Sequence, residues 1–474
     1  MNRVLIWAVY RTESWWTEIG RTLGFDEATV LTDKRGRGDR SVTDAFYAAY
    51  AGLYAEQARA SELLTTRQVD DVIARCRVLR WLPRRRATAM ALAMAEAMDH
   101  ALTEVGPTAI LSFPIDNYVS DVLDRRARAR GIPYFELTTA IVPNLSMFLY
   151  RGRLIQRAAE PDPVTVDART QEIIAPLFRS AYVKGASIFT PLKFLKTYLY
   201  FKARGLAFRA YSLLKRDPLN QHYLDAQGFL GHKPRLSDIR IIKLIDQDWR
   251  ERMAEFAPER RLFIGLQLIP EASIDYWIDD LGLIQHEDLL VDVAKAFSDA
   301  GYLILVKDHP LQFGFRQVQL LDRLKALPNV LIVPYEISGN EMVSLVDVCF
   351  TSTGALGMQA AMLGKKSIVA AHYYTTPEDY IVYRTREEIA DLPRRVAETP
   401  TLTPEQLQVR QHRIVSNLLR GCFTGDYHSF TGFRPETPPP SVAELGTNIG
   451  LEMKLLGPDA EDWHGRRMDL ESRP

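Results

Sequence analysis

Tyr302-Leu-Ile-Leu-Val-Lys-Asp-His-Pro310 is the stretch on which the reading of this chain turns. Tyr302 to Val306 is short, apolar and β-prone, which predicts a buried strand. The run stops at Lys307, Asp308, His309 and Pro310. Pro310 lacks the N–H that a ladder needs and pushes His309 out of the helical region. A cation and an imidazole are therefore expected at the carboxyl end of a strand, where open α/β sheets bind their ligands.

On either side of this stretch the pattern repeats. Leu262 to Leu266 predicts a strand ending in Gln267, with Pro270-Glu-Ala-Ser273 in the loop after it. Helices are expected over Asp288–Ala300, Phe315–Leu327, Glu341–Val346 and Ala355–Leu363. Strands are expected at Val330–Val333, Val348–Phe350 and Ser367–Ala370. This alternation is that of a doubly wound fold. A similar series opens the chain: strands at Val4–Tyr10, Ala28–Leu31, Ala109–Phe113 and Tyr134–Leu137, with helices over Ser14–Leu23 and Asp121–Arg130 and a helical region from Val42 to Thr103.

Between the two series lies a different segment. Tyr182 to Arg216 carries eight Lys or Arg and no acid, interleaved with aromatics, and a helix is expected from Pro191. Two readings are open for it: an amphipathic helix whose cationic side faces water, or a surface for an anionic lipid or polymer. After Leu402 one helix runs to Arg420. The chain then passes the prolines 438–440 and ends in a polar tail, expected to be disordered from Gly457.

Composition narrows the function. The 474 residues, 47% of them hydrophobic, suffice for two or three cores. Lys plus Arg and Asp plus Glu both number 59, which argues against a protein that coats nucleic acid through bulk charge. Cys76, Cys349 and Cys422 are far apart and lack metal-ligand spacing, as expected in a reducing compartment. No signal-like h-region and no spanning apolar run is found, so a cytoplasmic location is expected.

Three loops hold candidate site residues. In Gln267–Ser273, Glu271 can accept from ribose hydroxyls or a base edge and Ser273 can cap a helix; both can equally be helix-start residues. In Lys307–Pro310, His309 can donate to a phosphate oxygen or to a leaving phosphate, with Lys307 adding charge. Thr351-Ser-Thr-Gly354 precedes a helix and offers hydroxyls and N–H groups to an anion, or is a plain cap. Asp116, beyond the Ala109–Phe113 strand, is the candidate base, with Glu136 and Asp121 behind it. His372, followed by Tyr373 and Tyr374, comes after the last strand of the second series; it can face the cleft or be a surface residue of a loop.

A strand ending in Lys-x-His-Pro (Lys307–Pro310), an Asn-Val-x-x-x-Pro strand (Asn329–Pro334), a hydroxyl pair (Ser352, Thr353) and a helix closing in Leu-Gly-Lys (Leu363–Lys365) together resemble capsule and surface-polysaccharide glycosyltransferases of the GT-B type. The resemblance covers about Leu262 to Ala370 and extends to bacterial sialyltransferases and Kdo transferases that use CMP-sugars. It implies an α/β, GT-B architecture with two Rossmann-like domains facing across a cleft: residues 1–246 on the acceptor side, with the 182–216 segment as a helical insertion; 247–402 binding the nucleotide-sugar; and 403–474 as a helix and tail.

The resemblance further implies a donor nucleotide phosphate held by His309, Ser352 and Thr353. Around them a nucleotide site would comprise Gln267, Glu271, Ser273, Lys307, Pro310 and Gly354. No metal and no cofactor is implied, since no Asp-x-Asp motif lies in a suitable loop. The partners implied are a nucleotide-sugar, possessing a CMP link in the finer resemblance, a glycan or lipid-linked acceptor, and peripheral contact with an anionic membrane. The acidic pair followed by Gly that those sialyltransferases carry is missing. Two rivals stay open: transfer from a CDP-alcohol, against which Phe350 and Thr351 stand where an acid is usual, and a non-catalytic component of surface-polysaccharide assembly.

Overall fold

The structure is a computed structural model describing residues 2–9, 11–142, 144–177, 190–227, 235–269, 271–313, 315–370 and 376–456. The chain forms two compact units. One comprises Met1–Glu160, Leu219–His222 and the chain from Leu419 on; the other comprises Pro161–Pro218 and Tyr223–Leu418. Most of residues 161–246 thus fall in the second unit.

In the first unit, strands β1 (Arg3–Ala8), β2 (Glu27–Thr32), β3 (Arg40–Ser41), β4 (Ala109–Ser112) and β5 (Tyr134–Thr139) run parallel. β6 (Leu145–Tyr150) and β7 (Arg153–Leu154) follow as antiparallel strands. In the second unit, β8 (Arg261–Gly265), β9 (Leu303–Lys307), β10 (Val330–Val333), β11 (Val348–Phe350), β12 (Lys366–Val369) and β13 (Ile381–Val382) form an all-parallel sheet in the order β10-β9-β8-β11-β12-β13. β14 (Cys422–Thr424) returns to the first unit and pairs antiparallel with β6, completing the order β14-β6-β5-β4-β1-β2-β3 with β7 on β6. Both units are α/β and Rossmann-like.

The second sheet shows why its strands are apolar throughout. Leu262, Ile264, Ile304, Val306, Ile332 and Phe350 point into one core, while Phe263, Leu303, Leu305, Leu331, Val333 and Cys349 point into another on the opposite face. A sheet covered on both faces has no polar side to alternate with.

Three elements depart from the expected boundaries for local reasons. The helix expected over Phe315–Leu327 spans only Val318–Lys325. Phe315 and Arg316 instead donate their N–H groups to the Gln312 carbonyl, in the turn after His309. The β5–β6 hairpin was not expected; the chain reverses with Asn144 at φ 60°, a left-handed conformation that Asn tolerates. A helix over Pro440–Leu456, also not expected, packs on the helix Glu13–Thr22. The closeness comes from Gly446 and Gly450: a Cβ at either would collide with Thr22 or with the Leu23 carbonyl.

Candidate functional site

The second sheet changes winding direction at its middle. From β8 the chain moves outward through β9 and β10, then crosses back to β11 beside β8 and moves outward the other way. The crevice outside the carboxyl ends of β8 and β11 is therefore the switch point, the usual ligand position in such sheets. The loop after β8 carries Gln267, and the loop after β11 carries Thr353.

These two loops are bonded to each other. The Gln267 amide donates to the Thr353 hydroxyl at 3.0 Å and to the Glu271 carboxyl at 3.0 Å, and it accepts from the Thr353 N–H at 3.2 Å. The Thr353 hydroxyl donates to Ser273 Oγ at 2.8 Å. Ser273 is thereby a buried bracket between the loops; the residue flanking the helix Ala272–Trp277 is Glu271, whose side chain makes no cap bond. Gly354 closes the turn with its N–H on Thr351 Oγ1 at 3.2 Å. A Cβ at Gly354 would lie 2.8 Å from that same oxygen, so glycine is needed for the close approach.

The loop after β9 joins this set through Arg316, which the sequence reading did not single out. Arg316 is 2% exposed; its guanidinium donates twice to Asp308 Oδ1, at 3.0 and 2.8 Å, and reaches the Gln267 carbonyl at 2.6 Å. Tyr335 donates to Asp308 Oδ2 at 2.6 Å, and Asp308 Oδ1 accepts the His309 N–H at 2.8 Å. Asp308 is thus an internal anchor that fixes the backbone of His309. Pro310 opens a short 3-10 turn, Pro310–Gln312, and Gln312 donates to the Ile269 carbonyl at 2.7 Å. In sequence Arg316 looked like any helix-start cation; only the strand geometry makes it a bridge.

The hydroxyls of the Thr351–Gly354 turn are less open than expected. Ser352 Oγ lies 3.0 Å from the Tyr383 hydroxyl and 3.4 Å from His286 Nδ1. Ser352 and Thr353 are both buried and bonded within the unit. They shape the wall of the crevice from behind.

Burial governs the electrostatics. It lowers the pKa of half-buried His309; the Asp308 carboxylate opposes the shift, and Lys307 and Arg316 add to it. The imidazole is neutral near neutral pH and offers one N–H donor. Burial likewise lowers Lys307, against Asp308 and Glu336, and its ammonium donates to the Asp308 carbonyl at 3.1 Å. Burial raises Glu271, against the hydrogen bonds from Gln267 and Ser273. His286 is pulled down to about 3 by burial and then by Arg316, and its Nε2 is buried without a hydrogen-bond partner.

Asp116 belongs to the first unit, which has its own switch point between β1 and β4. Asp116 follows β4 there, with Asn117 donating to it at 2.6 Å and an Arg77 nitrogen 3.5 Å away. Asn117 also caps the helix Tyr118–Ala129. Phe113 stacks among Trp15, Trp16, Tyr427 and Phe430 beside this loop. Glu136 is fully buried; its carboxylate accepts the N–H groups of Ile115 at 3.2 Å and Arg151 at 2.5 Å, so it pins the Asp116 loop from below. Burial raises its pKa to about 7, against those two hydrogen bonds. Asp121 is consumed by structure. Burial alone would raise it, but Arg125 and Arg151 outweigh burial and hold it well below the carboxylate range.

Pro270, His372, Tyr373 and Tyr374 lie outside the described residues, as do 182–189 of the basic segment and the tail from Gly457. Among the described residues no group of three or more His, Cys, Asp or Glu is placed to hold a metal ion, and no helix is long and apolar enough to cross a membrane.

No protein-family model and no curated protein matches this chain. Among solved structures it is similar to the beta Kdo 2,4 transferase KpsC of Thermosulfurimonas dismutans, at 16% identity and a TM-score of 0.31, over 67% of this chain and 79% of that one. A glycosyltransferase from Rickettsia africae matches at 8% identity and a TM-score of 0.28, over 96% and 98%. The UDP-GlcNAc 2-epimerase of Methanocaldococcus jannaschii, in complex with UDP-GlcNAc and UDP, matches at 13% and 0.27, over 89% and 100%. At these scores the likenesses carry no inference about chemistry.

Proposed function

We propose that this chain is a metal-independent glycosyltransferase, transferring a sugar from a nucleotide-sugar to a growing surface glycan or glycolipid. The reading is carried by one observation: the loops after β8, β9 and β11 are knitted by Arg316 and Gln267 at the switch point, with His309 held on their rim. A neutral imidazole fixed through its own backbone suits a hydrogen bond to a phosphate oxygen, because it donates without a counter-charge to desolvate. His309 then stabilises charge on the departing nucleotide phosphate, and Lys307 adds a positive field. Gln267, Glu271, Ser273, Pro310, Ser352, Thr353 and Gly354 form the nucleotide-binding walls. Asp116 in the first unit is assigned as the base that takes the acceptor proton. A CMP-linked donor is the finer form of this reading.

Titration calorimetry with CMP, CDP, UDP and GDP tests it. Binding of one nucleotide is expected, weakened but still measurable in His309→Ala, with unchanged melting; silence with all four at millimolar concentration would favour the non-catalytic rival. Product analysis with CMP-sugar against CDP-alcohol donors separates the two enzyme classes. Transfer that persists in excess EDTA is expected, and its loss would overturn metal independence.

A further inference from the structure

From Thr190 to Arg216 the chain contains seven Lys or Arg and no acid. Most of it is one helix, Pro191–Leu214, started by Pro191 and by Thr190 Oγ1 accepting the Lys193 N–H at 3.2 Å. Its 24 residues extend about 36 Å. One face is anchored: Phe194 meets Phe313, Phe201 meets Phe315 and Tyr211 meets Tyr223, all within the second unit.

The other face is unusual. Leu192, Leu199, Leu206 and Leu213 recur every seven residues, close to two helical turns, and therefore lie in one line. Leu195, Ala203 and Ala210 fill the same stripe. An outward helix face is ordinarily polar, yet these four leucines are 76%, 56%, 71% and 63% exposed. Cations border the stripe, among them Lys196, Lys202 and Arg209, all exposed. Long cationic side chains can lay their stems along apolar surface and keep their heads at its edge. Lys202 already rests near the ring of Tyr198, at 5.2 Å.

We infer that this leucine stripe with its cationic borders docks the protein on the surface of an anionic phospholipid bilayer. The bilayer offers an apolar layer beneath anionic headgroups, which matches leucines flanked by Lys and Arg. A second copy of the chain is the poorer occupant. Lys202 and Arg209 stand seven and fourteen residues after Leu195, on the edge of the stripe where a paired helix would need apolar residues, and no acid on the helix answers them. The helix lies on the bilayer and does not cross it. Its inner face packs on Phe313 and Phe315, in the loop that follows His309, so docking holds the strand-end loops of the second unit close to the lipid.

Flotation of the full chain tests this without any donor or acceptor. Vesicles of phosphatidylglycerol and phosphatidylcholine in equal parts are expected to carry the protein upward, pure phosphatidylcholine vesicles are not, and high salt releases it. Leu199→Glu with Leu206→Glu is expected to reduce partitioning at least about tenfold, as is Lys202→Glu with Arg209→Glu. These positions are exposed, so melting should not move. The inference is overturned by absence of flotation, by equal flotation with neutral vesicles, or by wild-type flotation of both variants. It is also overturned if sedimentation shows a dimer that the leucine variant dissociates while lipid binding is unaffected.

Discussion

Arg316 and His309 separate support from chemistry. The Arg316–Asp308 pair is buried on both sides, at 1% side-chain exposure each. Breaking such a pair costs about 3–5 kcal/mol, because the surviving charge is left buried. Arg316→Met is therefore expected to lower the chemical-denaturation stability of the second unit by that amount and to abolish nucleotide binding with it. Arg316→Lys should rescue neither fully, since a single ammonium cannot reproduce two bonds to Asp308 and one to the Gln267 carbonyl. His309→Ala should instead leave stability nearly unchanged and reduce transfer by about 10² to 10⁴, measured as turnover at saturating donor. His286 sets a pH dependence. Its pKa falls from 6.5 to about 3 on folding, so below about 6.5 the unfolded chain binds a proton that the folded chain refuses. Stability is thus lost as pH falls from about 6.5 toward 3, by up to roughly 5 kcal/mol for so large a shift. Half-buried His309 acts in the same direction. Melting across this range should show the slope in the native chain and a shallower one in His286→Gln; an unchanged slope would remove His286 as its cause.

Among the elements, the loops matter more than the strands that deliver them. Gly354→Ala places a methyl 2.8 Å from Thr351 Oγ1. It should cost about 1–3 kcal/mol and weaken nucleotide affinity in calorimetry, because the turn carries Thr353 out of register with Gln267. The helix Pro440–Leu456 is tuned in the same way: Gly450→Leu should destabilise the first unit by a similar amount or more, as read in its melting transition. These cases mark what the sequence makes legible. Continuous apolar runs such as Leu303–Val306 and Val348–Phe350 reveal strands without help, because both faces of their sheet are covered. Lys307, His309 and the Thr351–Gly354 turn are visible as residues placed at strand ends. Arg316 is not, since its importance comes from a carbonyl 49 positions away. Nor is Ser352's engagement with Tyr383 and His286, which only the winding of the sheet brings together. The β6 and β14 strands escape for another reason: their pairing is antiparallel and, for β14, made across most of the chain.

For the whole molecule, two units with separate cores should unfold as separable events under calorimetry. A nucleotide that binds the second unit is expected to raise one transition only, by about 2.7 kcal/mol at a hundredfold excess over its Kd; a shift of both would place the ligand elsewhere. The first unit is assembled from distant parts. β14 pairs with β6, Arg157 donates to Glu452 at 2.8 and 3.1 Å, and Trp15 donates to Ser429 at 3.2 Å. Its early strands therefore leave the ribosome well before the residues that complete them, while everything needed by the second unit is made in between. On a translating ribosome the second unit should acquire protease resistance first. Nascent chains arrested before Gly421 should keep the Trp15–Phe113 aromatic cluster incompletely covered, as a binding target for chaperones until the last strand and helix are synthesised.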